Sequence, residues 1–173
     1  MGNIRQIIQR IANRAPKREF CDPLDDVAQF LRCTIGDLEF VLVGTEVVEV
    51  AMVPTIMEIP LSLPVVIGVV NIRGTIVPIL DLHEKLNLEN HKELEPFASR
   101  LVILPIDGEP IGFIVDSIKP QLIGGLVESI SEEEAELFSE FVIVGEDRLP
   151  ILYIEHLIND EERSVLKEIC AQF

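Results

Sequence analysis

Residues 68–82 read GVVNIRGTIVPILDL. Apolar residues fill most of the stretch, and one cluster, Asn71, Arg73 and Gly74, divides it. Two β-rich runs around a break containing Gly are a hairpin signal, so strand VIGVVNI is expected to turn into strand TIVPILDL. Asn71 and Gly74 are the residues expected to tolerate positive φ in that turn. Arg73 then has two readings. Turn positions accept almost any side chain, or the rigid flanking strands aim this one at a partner, for which the planar five-donor guanidinium is suited. The spacing alone leaves both open.

The same plan recurs further along the chain. Residues 140–158 read EFVIVGEDRLPILYIEHLI, and a shift of 72 brings Val70 onto Val142, Pro78-Ile79-Leu80 onto Pro150-Ile151-Leu152 and Leu86 onto Ile158. Gly145 then occupies the position of Arg73, so the scaffold makes this hairpin without the charge. A second pair of copies precedes these. FLRCTI-GD-LEFVLV and RLVILPI-DG-EPIGFIV align with a shift of 71, Ile35 on Ile106, Phe40 on Ile111, Leu42 on Phe113 and Val47 on Ile118. Asp107-Gly108 is a stronger type I′ turn signal than Gly36-Asp37. One small unit has been made twice: hairpin, connection, hairpin, short helical tail, with tails LHEKL and IEHLI. Four to five short strands of this kind close most readily into a small antiparallel barrel, which removes apolar sheet edges.

Helices are expected around this core. Ile4, Ile7, Ile8 and Ile11 fall at i, i+3, i+4, i+7 with arginines between them, an amphipathic N-terminal helix ended by Pro16 and followed by a polar linker. Ser131 and Glu134 form a capping-box pattern. Asn159 can cap a terminal helix whose stripe is Leu166, Ile169, Cys170 and Phe173.

The chain has 173 residues and a formal net charge of -16. Residues 1–20 hold Arg5, Arg10, Arg14, Lys17 and Arg18 against Glu19, a net +4, which leaves -20 on the rest. Such an acidic body argues against a nucleic-acid surface, which needs clustered Lys and Arg. Hydrophobic residues make up 48% and mean hydropathy is +0.34, so some apolar surface is expected to serve partners. Cys21, Cys33 and Cys170 make no disulfide framework, and a reduced, cytoplasmic setting is the simpler reading. The uncharged run 59–72 is too short for a membrane span and contains Pro60, Pro64 and Gly68. For residues 1–20, docking on protein is the first reading and a weak membrane contact the second.

No catalytic constellation emerges. His83 and His91 in HEKLNLENH have the wrong spacing for a zinc helix, and Cys33 sits mid-strand with no histidine near it in sequence. His83 and His156 are read as residues of short polar helix faces. Gly-rich phosphate loops are missing, and acid pairs read as solvated charge. No enzyme, metal or cofactor is expected. A small-ligand-binding sensor module is the alternative to a binding adaptor, and a hydrolase or metal enzyme ranks third.

At the opening stretch the sequence resembles the CheW-like family of chemotaxis coupling proteins. The family pattern, roughly G-V-x-N-x-R-G-x-I-x-P-V-x-D-L, is met from Gly68 through Asn71, Arg73, Gly74 and Pro78 to Asp81 and Leu82. Val47 and Glu49 stand where the family has V-x-E, and Gly112 to Asp116 match its G-x-x-V-D step. The resemblance spans about residues 28–158. It implies a mainly β fold of two small five-stranded antiparallel barrels with short helices. The corresponding division is residues 1–27 as basic helix and linker, 28–160 as the CheW-like domain, and 161–173 as a C-terminal helix. Within the domain the first barrel lies largely at 36–100 and the second largely from 101 to 150, with strand exchange allowed. The resemblance further implies a non-catalytic adaptor between a chemoreceptor's cytoplasmic tip and a histidine kinase regulatory domain. Arg73 would touch the receptor, with Val47, Glu49 and Asn71 nearby, and Gly68, Gly74, Pro78 and Asp81 would shape the motif. The second copy departs from the pattern at Glu146-Asp147 and at Tyr153, which stands in the place of Asp81.

Overall fold

The computed structural model describes residues 29–60, 63–88, 98–129 and 138–172, with backbone alone for 120–123 and 172. The expected N-terminal helix, its linker, the Ser131–Glu134 capping box, His91 and Phe173 lie outside the described residues.

Turn chemistry builds the hairpins as read. Strands β1 (Gln29–Ile35) and β2 (Leu38–Val43) flank Gly36-Asp37. After β3 (Glu49–Met52), β4 (Val66–Ile72) and β5 (Thr75–Leu80) flank Arg73-Gly74. Strands β6 (Arg100–Ile106) and β7 (Glu109–Val115) flank Asp107-Gly108. The remaining strands are β8 (Ser117–Gly124), β9 (Leu126–Ser129), β10 (Glu140–Val144) and β11 (Asp147–Pro150).

One five-stranded sheet has the order β3-β6-β7-β5-β4. Its two edges are joined by the chain itself: beyond β3, Met57 exchanges backbone hydrogen bonds of 2.8 and 2.9 Å with Val69 of β4. Gly68 permits that approach, since a Cβ there would lie 2.5 Å from the Met57 carbonyl oxygen. The other strands form two three-stranded sheets, β2-β1-β8 and β11-β10-β9. They meet where Leu152 N–H donates to the Val41 carbonyl at 2.9 Å. Strands β8 and β9 are one run bent at Gly125, where a Cβ would meet the Ile143 carbonyl oxygen at 2.5 Å. The neighbour sequence β8-β1-β2-β11-β10-β9 therefore begins and ends on a single stretch of chain.

The fold is mainly β, as read, but its pairing is not wholly antiparallel. Strands β5 and β7 pair in parallel at Ile79–Gly112 and Leu80–Phe113, and the Val41–Ile151 bridge, its counterpart in the second copy, is parallel too. Both contacts join the second strands of two hairpins that enter side by side in the same direction. Hairpin spacing carries no information on how hairpins pack against each other.

The apolar residues sort into three clusters. Val70, Val77, Ile79, Leu101, Ile103 and Ile114 fill the five-stranded sheet. Phe30, Val41, Val142, Leu149 and Ile151 fill its partner. The largest cluster, with Phe40, Val102, Phe113, Phe141 and Leu166 among its members, draws on both. The repeat is visible inside: Val70, Val77 and Ile79 are matched by Val142, Leu149 and Ile151. Gly112 stands where the other copy has Val41, and a Cβ on it would meet Ile79 Cδ1 at 2.7 Å and Leu101 Cδ1 at 2.9 Å. Close packing of this kind leaves little room for a methyl group.

Two four-residue helices follow the second hairpin of each copy, α1 (Leu82–Lys85) and α2 (Ile154–Leu157). A longer helix, α3 (Asp160–Gln172), closes the described chain. Asn159 and Glu162 cap α3 reciprocally, with both hydrogen bonds at 2.9 Å. Leu166 and Ile169 are buried and Cys170 packs on the main core. Glu162 also pairs with Lys85 of α1, and Arg163 and Lys167 hold Asp107 in the β6–β7 turn at 2.9 and 3.0 Å. The two histidines differ from the reading of both as polar-face residues. His83 is largely covered beside Asp81 and His156 is open to solvent.

Candidate functional site

Arg73 and Gly74 occupy the β4–β5 turn with φ of 51° and 91°. Positive φ at both central residues is the type I′ pattern, the one that matches strand twist. This corrects the expectation that Asn71 takes positive φ. Asn71 serves through its side chain: Oδ1 accepts the Gly74 N–H at 2.7 Å, and a residue in β4 must keep strand geometry. The left-handed conformation falls on Arg73 instead, at a cost of roughly 1–2 kcal/mol relative to a residue without a Cβ. The other non-glycine residues with positive φ among those described are Asn87 and Asp107, types that tolerate it. In the second copy Gly145 takes this position at φ 63°.

The Arg73 side chain is 83% exposed, and its Nη2 meets Glu49 Oε1 at 3.1 Å. Glu49 lies on β3, at the edge of the same sheet, and its face of the strand also carries Ala51. Arg73, Asn71 and Glu49 are thus brought together. Val47 is turned inward, packed against the main core, so its place in the motif is partly structural. Asp81 is a helix cap: Oδ1 accepts from the N–H groups of His83 and Glu84 at 2.9 and 3.2 Å. Pro78 is buried one residue before the β5–β7 ladder begins. Gly68 and Gly74 are needed for close approach and for backbone conformation respectively.

Two neighbouring features went unread in the sequence. The outward face of β3 and its lead-in is apolar and open, with Val48 at 65%, Val50 at 42% and Met52 at 60% exposure. The alternation V-x-V-x-M across 48–52 was the available signal, since residues two apart share a strand face. Tyr153, the residue replacing Asp81, donates its hydroxyl to Glu140 and makes no cap. Burial, the Glu140 hydrogen bond and then the charges of Glu140, Glu46 and Glu155 push its hydroxyl well above the usual phenol range. Burial and the nearby Glu155 likewise push the Glu46 carboxyl up. Among the described residues no Lys or Arg forms an ion pair with these three glutamates.

No group of three or more His, Cys, Asp or Glu side chains is placed to hold a metal among the described residues. No described helix is long and apolar enough to cross a membrane. Burial pushes the Cys33 thiol up to about 12, so it stays protonated and a poor nucleophile at neutral pH.

Residues 29–162 match a family model described as a CheW-like domain. The chain is similar to the chemotaxis protein CheW of Bacillus subtilis (strain 168), with 26% identity over 129 residues, 75% of each chain. It is similar to the chemotaxis protein CheW of Klebsiella aerogenes, with 25% identity over 147 residues, 82% of this chain and 87% of the relative. Among solved structures it resembles the scaffolding protein TtCheW from Thermoanaerobacter tengcongensis, with a TM-score of 0.68, 19% identity, and coverage of 79% of this chain and 96% of that one.

Proposed function

The chain belongs to the CheW-like domain family, and from that premise we propose that it is a cytoplasmic, non-catalytic adaptor joining a chemoreceptor's helical tip to a histidine kinase regulatory domain. Relatives bearing the name chemotaxis protein CheW support a signalling pathway of the chemotaxis type, whether it serves chemotaxis or a pilus- or phototaxis-based motility system. One observation carries the reading of the site. A conformationally costly Arg73 is presented to solvent, steadied by Glu49, at a turn whose repeat copy uses Gly145. Strain of this kind persists where the residue type is wanted for something other than stability. In the proposal Arg73 contacts the receptor, Glu49 and Asn71 hold it in position, and Val47 supports β3 from beneath. Packed side chains fill both the five-stranded sheet and the unit made by the two three-stranded sheets, which favours a scaffold over a ligand pocket within either one.

Calorimetry with a receptor cytoplasmic fragment and with a kinase regulatory domain tests the proposal. Wild-type protein is expected to bind both, and Arg73→Glu to weaken receptor binding by about 2 kcal/mol, roughly 30-fold in Kd, while sparing the kinase domain. Failure of the wild type to bind either partner at tens of micromolar, on the order of −6 kcal/mol, would overturn it.

A further inference from the structure

The N-terminal end of β1 leaves the body beside the segment that carries the unread features. The Gly44 N–H donates to the Gln29 carbonyl at 2.7 Å. Two residues beyond Gly44 is Glu46, and four beyond is Val48. On this side of the molecule Glu46, Glu140 and Glu155 all act on Tyr153, and Glu155 faces His156 across a 3.9 Å contact. The exposed Val48, Val50 and Met52 follow Glu46 closely in the chain. Among the described residues, then, three carboxylates form no ion pair with Lys or Arg, and one of them, Glu46, lies next in the chain to an open apolar strip.

That strip is not a requirement of the fold. In the second copy the position of Val48 is Lys119, which pairs with Glu39 at 3.2 Å, and the position of Val50 is Gln121. The chain also holds a segment of complementary chemistry. Residues 1–20 carry five cations against one anion, and Ile4, Ile7, Ile8 and Ile11 recur on one side at helical spacing. From residue 14 to Gln29 is 15 residues, which can reach across at most about 50 Å. Tethering makes the contact intramolecular, so modest complementarity suffices to populate it.

We propose that residues 3–18 dock on their own body, with the isoleucines on Val48, Val50 and Met52 and the basic residues on Glu46, Glu140 and Glu155. The inference stands apart from the adaptor reading, since it concerns only this chain.

The test uses the isotope-labelled full-length chain and reciprocal variants. Ile7→Asp/Ile11→Asp alters only the segment, and Glu46→Gln/Glu155→Gln only the body. The first is expected to move the amide resonances of residues 44–52 and 153–156 and to speed their hydrogen exchange about fivefold. The second is expected to move the resonances of residues 4–11. Moderate salt should weaken both effects, because the contact is partly ionic. Absence of the reciprocal shifts would overturn the proposal. So would shifts that vanish on dilution, which would indicate a second copy as occupant. A segment whose resonances respond only to vesicles of phosphatidylglycerol and phosphatidylcholine would replace it with membrane contact.

Discussion

At the residue scale, Arg73 is where stability and presentation part. Its φ of 51° suits glycine or asparagine better than arginine, and Gly145 shows the relaxed form of the same turn. Arg73→Gly relieves the left-handed strain and restores backbone freedom to the unfolded chain, two effects that nearly cancel. It also removes an exposed ion pair worth less than about 1 kcal/mol. The expected outcome is a chemical-denaturation stability within about 1 kcal/mol of wild type together with weakened receptor binding. A large loss of stability with binding intact would assign Arg73 to the turn alone. Asn71→Ala removes the acceptor of the Gly74 N–H and is expected to lose about 1 kcal/mol in the same denaturation measurement. The polarity of Asn71, Arg73 and Gly74 within an apolar run was legible in the sequence. Which of them carries the positive φ was not, because that follows from the register of β4 on β5, where Asn71 pairs with Ile76 and Ile72 with Thr75.

At the scale of elements, α3 is held by charge as well as by its apolar stripe. Glu162 is buried, pairs with Lys85 and completes the Asn159 cap. Glu162→Gln retains a capping acceptor and removes the charge, whereas Lys85→Met leaves the carboxylate without its cation. Each single change is expected to lower stability by on the order of 2 kcal/mol, and the double change by clearly less than the sum. Additive losses in a denaturation double-mutant cycle would show that the pair is not coupled. The cap and stripe of α3 were readable from Asn159 and from the spacing of Leu166, Ile169 and Cys170. Its tie to α1 was not, since residues 85 and 162 are 77 apart and nothing local links them. The same holds for the open face of β3. Alternation says that Val48, Val50 and Met52 share a side, but exposure depends on what else covers that side.

At the scale of the whole molecule, surplus negative charge sets the response to pH. Glu39 is held below the usual carboxylate range, chiefly by its hydrogen bond to Arg32 and secondarily by that to Lys119. Its contribution is therefore present above the ordinary carboxylate value and lost as pH falls through the lowered one. Glu46 is raised, so its share of stability is lost as pH rises from the ordinary value through the raised one. Relief of self-repulsion in a chain of net charge -16 acts in the same sense as Glu46. Thermal unfolding is expected to show a maximum on the acidic side of neutrality, near pH 5 as an order-of-magnitude placement. Glu46→Gln should flatten the limb above it and Glu39→Gln the limb below. A stability that climbs steadily to pH 8 would contradict this balance. The four hairpins, the duplication and the identity of the arginine set into it follow from the sequence alone, because these rest on local backbone preferences and on period-two patterning, whereas β3, β8 and β9 lie in what read as connections. The parallel contacts between hairpins, the strained backbone at Arg73, the Lys85–Glu162 tie and the acidic, apolar surface near Gln29 emerge in three dimensions. Each of those depends on distant segments meeting, and their energies are set by burial and charge environment that no stretch of sequence contains alone.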